Sequence, residues 1–255
     1  MMIQKVEFEP AIILHRKPYK ETSLLVDLLT LNYGRIALVA NGARKSRDKA
    51  GLLQPFQMLS VSWKSRSDLG TLTQVELMSA LVEDGDLGMD FPWVKRLQGS
   101  RLYCGLYLNE LIIRCIQRVQ AIDGLFQLYC HSLELLQSDI EEAVVLRSFE
   151  WQLIRLLGYG VSLNQTRNGI DIEPDKYYYY HVGHGIDETT SSSPQAVSGA
   201  ALLEFHCGQW HKAEFAKDAR QLTWQALQPF IGDKPFASRR LYQGLLQQQK
   251  SIKIF

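Results

Sequence analysis

The stretch that most constrains this chain is Thr22–Arg47, TSLLVDLLTLNYGRIALVANGARKSR. Its apolar residues alternate, Leu24, Val26 and Leu28, then Ile36, Leu38 and Ala40. That is the two-residue period of a half-buried β-strand, not the period of a helix. Between the two runs, Leu31-Asn32-Tyr33-Gly34 supplies Asn and Gly, which accept the positive φ of a hairpin turn. Directly behind the hairpin, Gly42-Ala43-Arg44-Lys45-Ser46-Arg47-Asp48-Lys49 packs four cations into six positions. Such a run cannot join a core, so it faces solvent or an anion.

The flanking sequence extends the β pattern. Ala11–His15 reads as a short strand and Lys17-Pro18-Tyr19-Lys20 as a turn. In Gln57–Lys64, Leu59, Val61 and Trp63 share one face, Ser65–Gly70 is a second hairpin turn, and Thr71–Ser79 is a fifth strand. Five short strands without an intervening helix of any length predict a small closed barrel, because closure removes the edges that so short a sheet would expose. An oligonucleotide-binding (OB) barrel is the natural candidate.

After Asp84–Asp90 the period changes. Ser100–Val119 is apolar nearly all round, and helices are predicted over about Gly124–Gln137 and Ile140–Leu157, the last ending at Gly158-Tyr159-Gly160, where glycine suits a left-handed cap. The segment Val161–Ser193 reads as an irregular excursion. Helices follow over about Pro194–His206, Lys212–Ile231 and Phe236–Gln249, the last with Ser238 as N-cap. The expected class is α+β: a five-stranded OB barrel over residues 1–80, a linker over 81–92, and a helical bundle domain over 93–255.

Net charge is +1, but residues 1–80 hold 11 Lys and Arg against 7 Asp and Glu, leaving 17 against 20 for the remainder. The positive potential sits at the N-terminal end. The four cysteines are scattered and show no disulfide framework; a free cysteine commonly behaves as a small buried hydrophobe. The N-terminus lacks the apolar segment of a signal peptide, and no uncharged apolar run reaches about 18 residues. A soluble, cytoplasmic protein without membrane contact is expected.

A barrel that binds nucleic acid needs cations along the backbone track and, ideally, aromatic faces for bases. The candidate DNA-binding residues are Arg35, Arg44, Lys45, Arg47, Lys49, Lys17 and Lys20, with Lys64 and Arg66 able to extend the track. Tyr19 and Tyr33 sit in turns and are read first as turn packing; Trp63 is read as core. Enzymatic signatures are missing: there is no glycine-rich phosphate loop, G-x-S-x-G elbow or H-E-x-x-H, and the barrel's acids (Glu21, Asp27, Asp48, Asp68, Glu76) show no grouping that would hold catalytic metal ions.

Taken in order, Leu14-His15-Arg16, Glu21-Thr22-Ser23-Leu24, Gly34-Arg35, Ala40-Asn41-Gly42-Ala43-Arg44 and Leu53-Gln54-Pro55-Phe56 resemble the N-terminal domain of the RecO family of bacterial recombination mediators. Leu106-Tyr107-Leu108-Asn109-Glu110-Leu111, Leu157-Gly158-Tyr159-Gly160-Val161 and Lys234-Pro235 with Ser238-Arg239 resemble its helical domain. The resemblance implies an OB-fold and a helical domain without catalytic chemistry. It implies binding of single- and double-stranded DNA, annealing of complementary strands, contact with the C-terminal tail of the single-stranded-DNA-binding protein, and, with RecR, help in loading RecA.

An acidic tail ending in an apolar residue and a free carboxylate wants an apolar pocket with an arginine at its rim. On that reasoning the partner candidates are Arg147 with Phe149 on the third helix, then Arg114 and Arg118 on the first. Many family members carry a four-cysteine zinc site in the region corresponding to Val161–Cys207, where this chain has Cys207 alone. A structural zinc site wants four thiolate or imidazole ligands, and a remnant could be drawn from His181, His184, His206, Cys207 and His211, with His181 and His184 at a plausible short spacing; the preferred reading is exposed histidines and one buried thiol, with no metal or cofactor. The alternative to a DNA mediator is a protein-only adaptor whose basic loop meets an acidic partner.

Overall fold

The computed structural model describes residues 4–78 and 97–252. The expected linker at 81–92 lies outside the described residues. The chain forms two compact units: residues 1–137 with 235–255, and residues 138–234.

The first unit opens with a five-stranded closed barrel, β1 (Gln4–Tyr19), β2 (Ser23–Thr30), β3 (Gly34–Ala40), β4 (Met58–Ser65) and β5 (Leu69–Leu77), in the order β1-β2-β3-β5-β4. The expected hairpin is β2–β3, paired from Leu24↔Ala40 to Thr30↔Gly34, and β3 closes the barrel by running parallel to β5. Leu24, Val26, Leu28, Ile36, Leu38 and Ala40 all point into the barrel core with Leu59, Val61 and Trp63, as the alternation predicts.

Two features escaped the alternation. β1 is far longer than the expected Ala11–His15, because register shifts at Val6/Glu9 and Ile13/His15 interrupt its period. Every residue of β2 is buried, not only the inward set, so the outer face carries Leu25, Asp27 and Leu29 out of water. The segment behind the hairpin also contains a six-residue helix, α1 (Arg47–Leu52), whose N-cap Ser46 accepts from the Lys49 amide.

Helices α2 (Gly99–Cys115), α3 (Leu125–Leu135) and α7 (Ala237–Ile252) belong to this unit. At the Ile13/His15 irregularity, buried Asn109 of α2 donates to the Leu14 carbonyl at 2.8 Å and accepts from the Tyr129 hydroxyl of α3. One amide thus ties barrel, α2 and α3 together. Helix α2 stops four residues before the expected Val119. The physical cause is Arg35, whose Nη1 donates to the carbonyls of Ile113 and Ile116 at 2.8 and 2.9 Å, while Val119 turns its own amide onto the Arg35 carbonyl at 2.7 Å. The chain then crosses Gly34 so closely that a Cβ there would meet the Gln120 carbonyl oxygen at 2.0 Å, and Gly34 also has φ +65°, so both space and backbone require glycine.

Two motifs distant in sequence meet at the start of α7. The Glu110 carboxylate accepts from the amides of Ala237 and Ser238 at 3.0 and 3.1 Å and from the Ser238 hydroxyl at 3.0 Å. Arg114 bridges Glu110 (2.7 Å) and the Pro235 carbonyl (3.0 Å), with its guanidinium 4.1 Å from the Phe236 ring centre. Ser238 is therefore not the N-cap that its sequence position suggested; a carboxylate from α2 caps the helix instead. Burial pushes the Cys115 and Cys130 thiols up to about 12, so both stay protonated, in keeping with their reading as small hydrophobes.

The second unit contains α4 (Glu142–Leu156), a three-stranded sheet β6 (Tyr177–His181), β7 (Gly185–Thr189) and β8 (Val197–Ser198), then α5 (Gly199–His206) and α6 (Ala216–Ile231). Helix α4 ends as expected, with Gly158 at φ +86° and the Tyr159 amide returning to the Ile154 carbonyl. The expected irregular excursion is instead partly a hairpin. Tyr178 and Tyr180 point inward, each 2 % exposed, and Tyr180 packs on Trp151, which in turn meets Trp210. Aromatic packing thus orders a segment whose composition reads as turns.

Candidate nucleic-acid interface

The β1–β2 turn and the β3–α1 segment form one end of the barrel. The Arg44 amide donates to the Thr22 carbonyl at 2.9 Å, and its guanidinium donates to the carbonyls of Glu21 and Lys20 at 3.0 and 3.2 Å. Arg16 of β1 donates from Nη1 to the Ala50 carbonyl of α1 at 2.9 Å. These bonds hold the basic segment against the end of β1. Gly42, at φ +68°, starts the turn that accepts the Lys45 and Ser46 amides on its carbonyl.

As a result Lys17, Lys20, Arg44, Lys45, Arg47 and Lys49 lie exposed at this one end, with only Glu21 and Asp48 as exposed acids among them. Arg16, half-buried beside them, was not among the expected residues; its place next to Lys17 in the sequence was the available signal. Lys64 and Arg66 are exposed too, but at the end of β4 and in the β4–β5 turn.

Arg35 is corrected. Its Nη2 is 2.9 Å from Asp27 Oδ1, both side chains are about nine-tenths buried at 11 % and 10 % exposure, and Nη1 is engaged by the two α2 carbonyls. A guanidinium so committed has nothing to offer a phosphate. Arg118 approaches the same Asp27 at 3.6 Å while remaining 38 % exposed.

The four partner candidates separate. Arg114 is occupied with Glu110, Pro235 and Phe236 as described, with 15 % of its side chain exposed. Arg147, in the second unit, pairs with buried Glu150 at 2.7 Å and keeps 13 % exposure. Phe149 is 1 % exposed and belongs to the core, so it cannot line a surface pocket; helical burial of α4 places it inside. Arg118 is the most exposed of the three arginines.

Along the segment Val161–Cys207, His181 Nε2 lies 3.2 Å from Asp187 Oδ2, and Arg167 pairs with the same carboxylate at 2.8 Å. Cys207 is exposed, not buried as expected. Among the described residues no group of three His, Cys, Asp or Glu side chains is placed to hold a metal ion. No helix among them is long and apolar enough to cross a membrane.

Comparison with known proteins agrees with the architecture. The profile described as "Recombination protein O N terminal" matches residues 4–81, and that described as "Recombination protein O C terminal" matches residues 96–240. The chain is 35 % identical to the DNA repair protein RecO of Burkholderia pseudomallei (strain 1710b), covering 93 % of this chain and 83 % of that one. It is 36 % identical to that of Cellvibrio japonicus (strain Ueda107), covering 93 % and 97 %, and 36 % identical to that of Nitrosospira multiformis, covering 96 % and 98 %. An OB barrel followed by helices, two consecutive domain matches and these similarities over most of each chain establish that the chain belongs to the RecO family of DNA repair and recombination proteins.

Proposed function

We propose that this chain is a DNA-binding recombination mediator. It holds single- and double-stranded DNA by the phosphate backbone, brings complementary strands together for annealing, binds the C-terminal tail of the single-stranded-DNA-binding protein, and with RecR promotes RecA loading in the cytoplasm. No catalytic step is included: of the barrel's acids, Glu9 accepts from the Asn32 amide at 2.6 Å and Asp27 is held by Arg35, both structural engagements.

The observation that carries the reading is the set of six exposed cations, Lys17, Lys20, Arg44, Lys45, Arg47 and Lys49, held together at one end of an OB barrel. Cations gathered on one surface repel one another, and a phosphate backbone offsets that repulsion while releasing its counterions. A mediator that passes DNA onward gains from contacts that salt loosens readily. For the acidic tail, Arg118 is the arginine best placed to meet a carboxylate, since Arg114 and Arg147 are held by Glu110 and Glu150.

The test is fluorescence anisotropy of a labelled single strand at two salt concentrations, with the wild type and with Arg44, Lys45 and Arg47 changed together to alanine. The wild type is expected to bind and to weaken in salt. The triple variant is expected to bind more weakly, with a log–log salt slope shallower by about 2, from roughly 0.7 per phosphate contact. A wild type that binds no strand at low salt would leave the protein-only adaptor.

A further inference from the structure

A second feature of the barrel lies against β3, whose Ile36, Ala37 and Leu38 line it. The β2–β3 turn, the β4–β5 turn and the start of β1 surround a cleft of about 240 Å³. The half-buried Tyr33 ring walls it, resting edge-on against the core residue Trp63, the two rings 5.3 Å apart and nearly perpendicular. Val119, at φ +60° and 55 % exposed, forms an apolar lip. Gln4, Arg66 and Asp68 complete the lining with an amide, a guanidinium and a carboxylate.

This inventory selects among ligands. Asp68 in the lining disfavours a phosphate or an acidic peptide seated inside, whereas a neutral planar ring tolerates it and can donate to it. The Tyr33 ring and the Val119 lip suit the flat faces of such a ring, and the amide and carboxylate suit a polar edge. Arg66, exposed in the β4–β5 turn, is placed for the phosphate outside. Leu38, in the lining of the cleft, lies four residues, about 13 Å of extended chain, from Gly42 at the start of the basic segment. A single strand of the length that an OB barrel engages, roughly 4–16 nucleotides, spans that distance.

Resting on the DNA-binding reading above, we propose that this cleft is a subsite for one unstacked nucleobase of a bound single strand, with its phosphate on Arg66. The chain then holds single strands by a base contact as well as by charge, and a duplex, whose bases are stacked and paired, lacks that contact.

The experiment compares oligodeoxythymidylate with a length-matched, wholly abasic strand carrying the same phosphates. Anisotropy titrations use the full chain as wild type, Ser67→Trp, which places a bulky side chain at an exposed position of the cleft's rim, and Tyr33→Leu, which keeps apolar volume but removes the ring. The wild type is expected to bind the base-bearing strand about tenfold more tightly than the abasic one. Both variants are expected to lose that advantage while holding the abasic strand as the wild type does. Equal wild-type affinity for the two strands, or an advantage retained in both variants, overturns the subsite and leaves DNA binding intact. A wild type that binds neither strand overturns the DNA reading and the subsite with it.

Discussion

Arg35 follows a glycine in a β-turn sequence and alternates with Ile36 and Leu38, so from its neighbours alone it is an outward-pointing cation. In the folded chain the outward face of β3 is not water. Asp27 waits there on β2, and the carbonyls at the end of α2 arrive from 78 and 81 residues away. The guanidinium fork suits this task, because a planar group with five donors can serve a carboxylate and two carbonyls at once. Arg35→Ala leaves a nine-tenths-buried carboxylate and unbonded helix-end carbonyls, and is expected to cost about 3 kcal/mol in urea unfolding. The salt slope of DNA binding by the folded variant should stay that of the wild type. A variant as stable as the wild type with a shallower slope would return Arg35 to the DNA-binding set. Phe149 teaches the same lesson on α4: its type was consistent with a pocket wall, and its 1 % exposure makes it core.

Helix α7 is an element whose beginning is specified by another element. Its first amides point at Glu110, where a carboxylate also complements the positive end of the helix dipole. Burial alone would raise the Glu110 pKa, but the amides of Ala237 and Ser238, the Arg114 guanidinium and the Ser238 hydroxyl together hold it below the usual value of 4.5. Because the folded-state value lies below the unfolded one, the stabilisation is present in full above the ordinary carboxylate range and is lost as pH falls through the lowered folded value. Glu110→Gln is therefore expected to destabilise the protein by about 2 kcal/mol at neutral pH. The gap should narrow as pH falls from about 4.5 downward. Denaturant unfolding at a series of pH values measures this, and a gap of constant size would show that the charge of Glu110 is immaterial. Asn109, one residue earlier, performs a neutral version of the same service for the barrel and α3. The run Leu106–Leu111 thus owes its character to two adjacent polar residues that serve different partners.

Over the whole molecule the charge is divided: the first 80 residues carry an excess of cations and the remainder an excess of acids, and the fold gathers the N-terminal excess at one end of the barrel. Lysine acetylation in the presence and absence of a single strand should accordingly show protection of Lys17, Lys20, Lys45 and Lys49, with Lys217, exposed in the second unit, labelled equally in both. Equal labelling of the N-terminal four would place the strand elsewhere. Much of this was legible in the chain. The β2–β3 hairpin, the inward set Leu24 to Ala40, the core position of Trp63, the stop of α4 at Gly158 and the cation run behind the hairpin are all local, fixed by side-chain period and by the φ preferences of a few residues. Three things were not local. The bulges that let β1 run for 16 residues depend on the partners that β1 meets. The end of α2 and the start of α7 depend on Arg35 and Glu110, which reach helix-end groups from outside those helices. Which cations stay free for an anion and which are consumed inside depends on the charges and carbonyls that folding brings alongside, and those lie too far along the chain for any sequence pattern to carry.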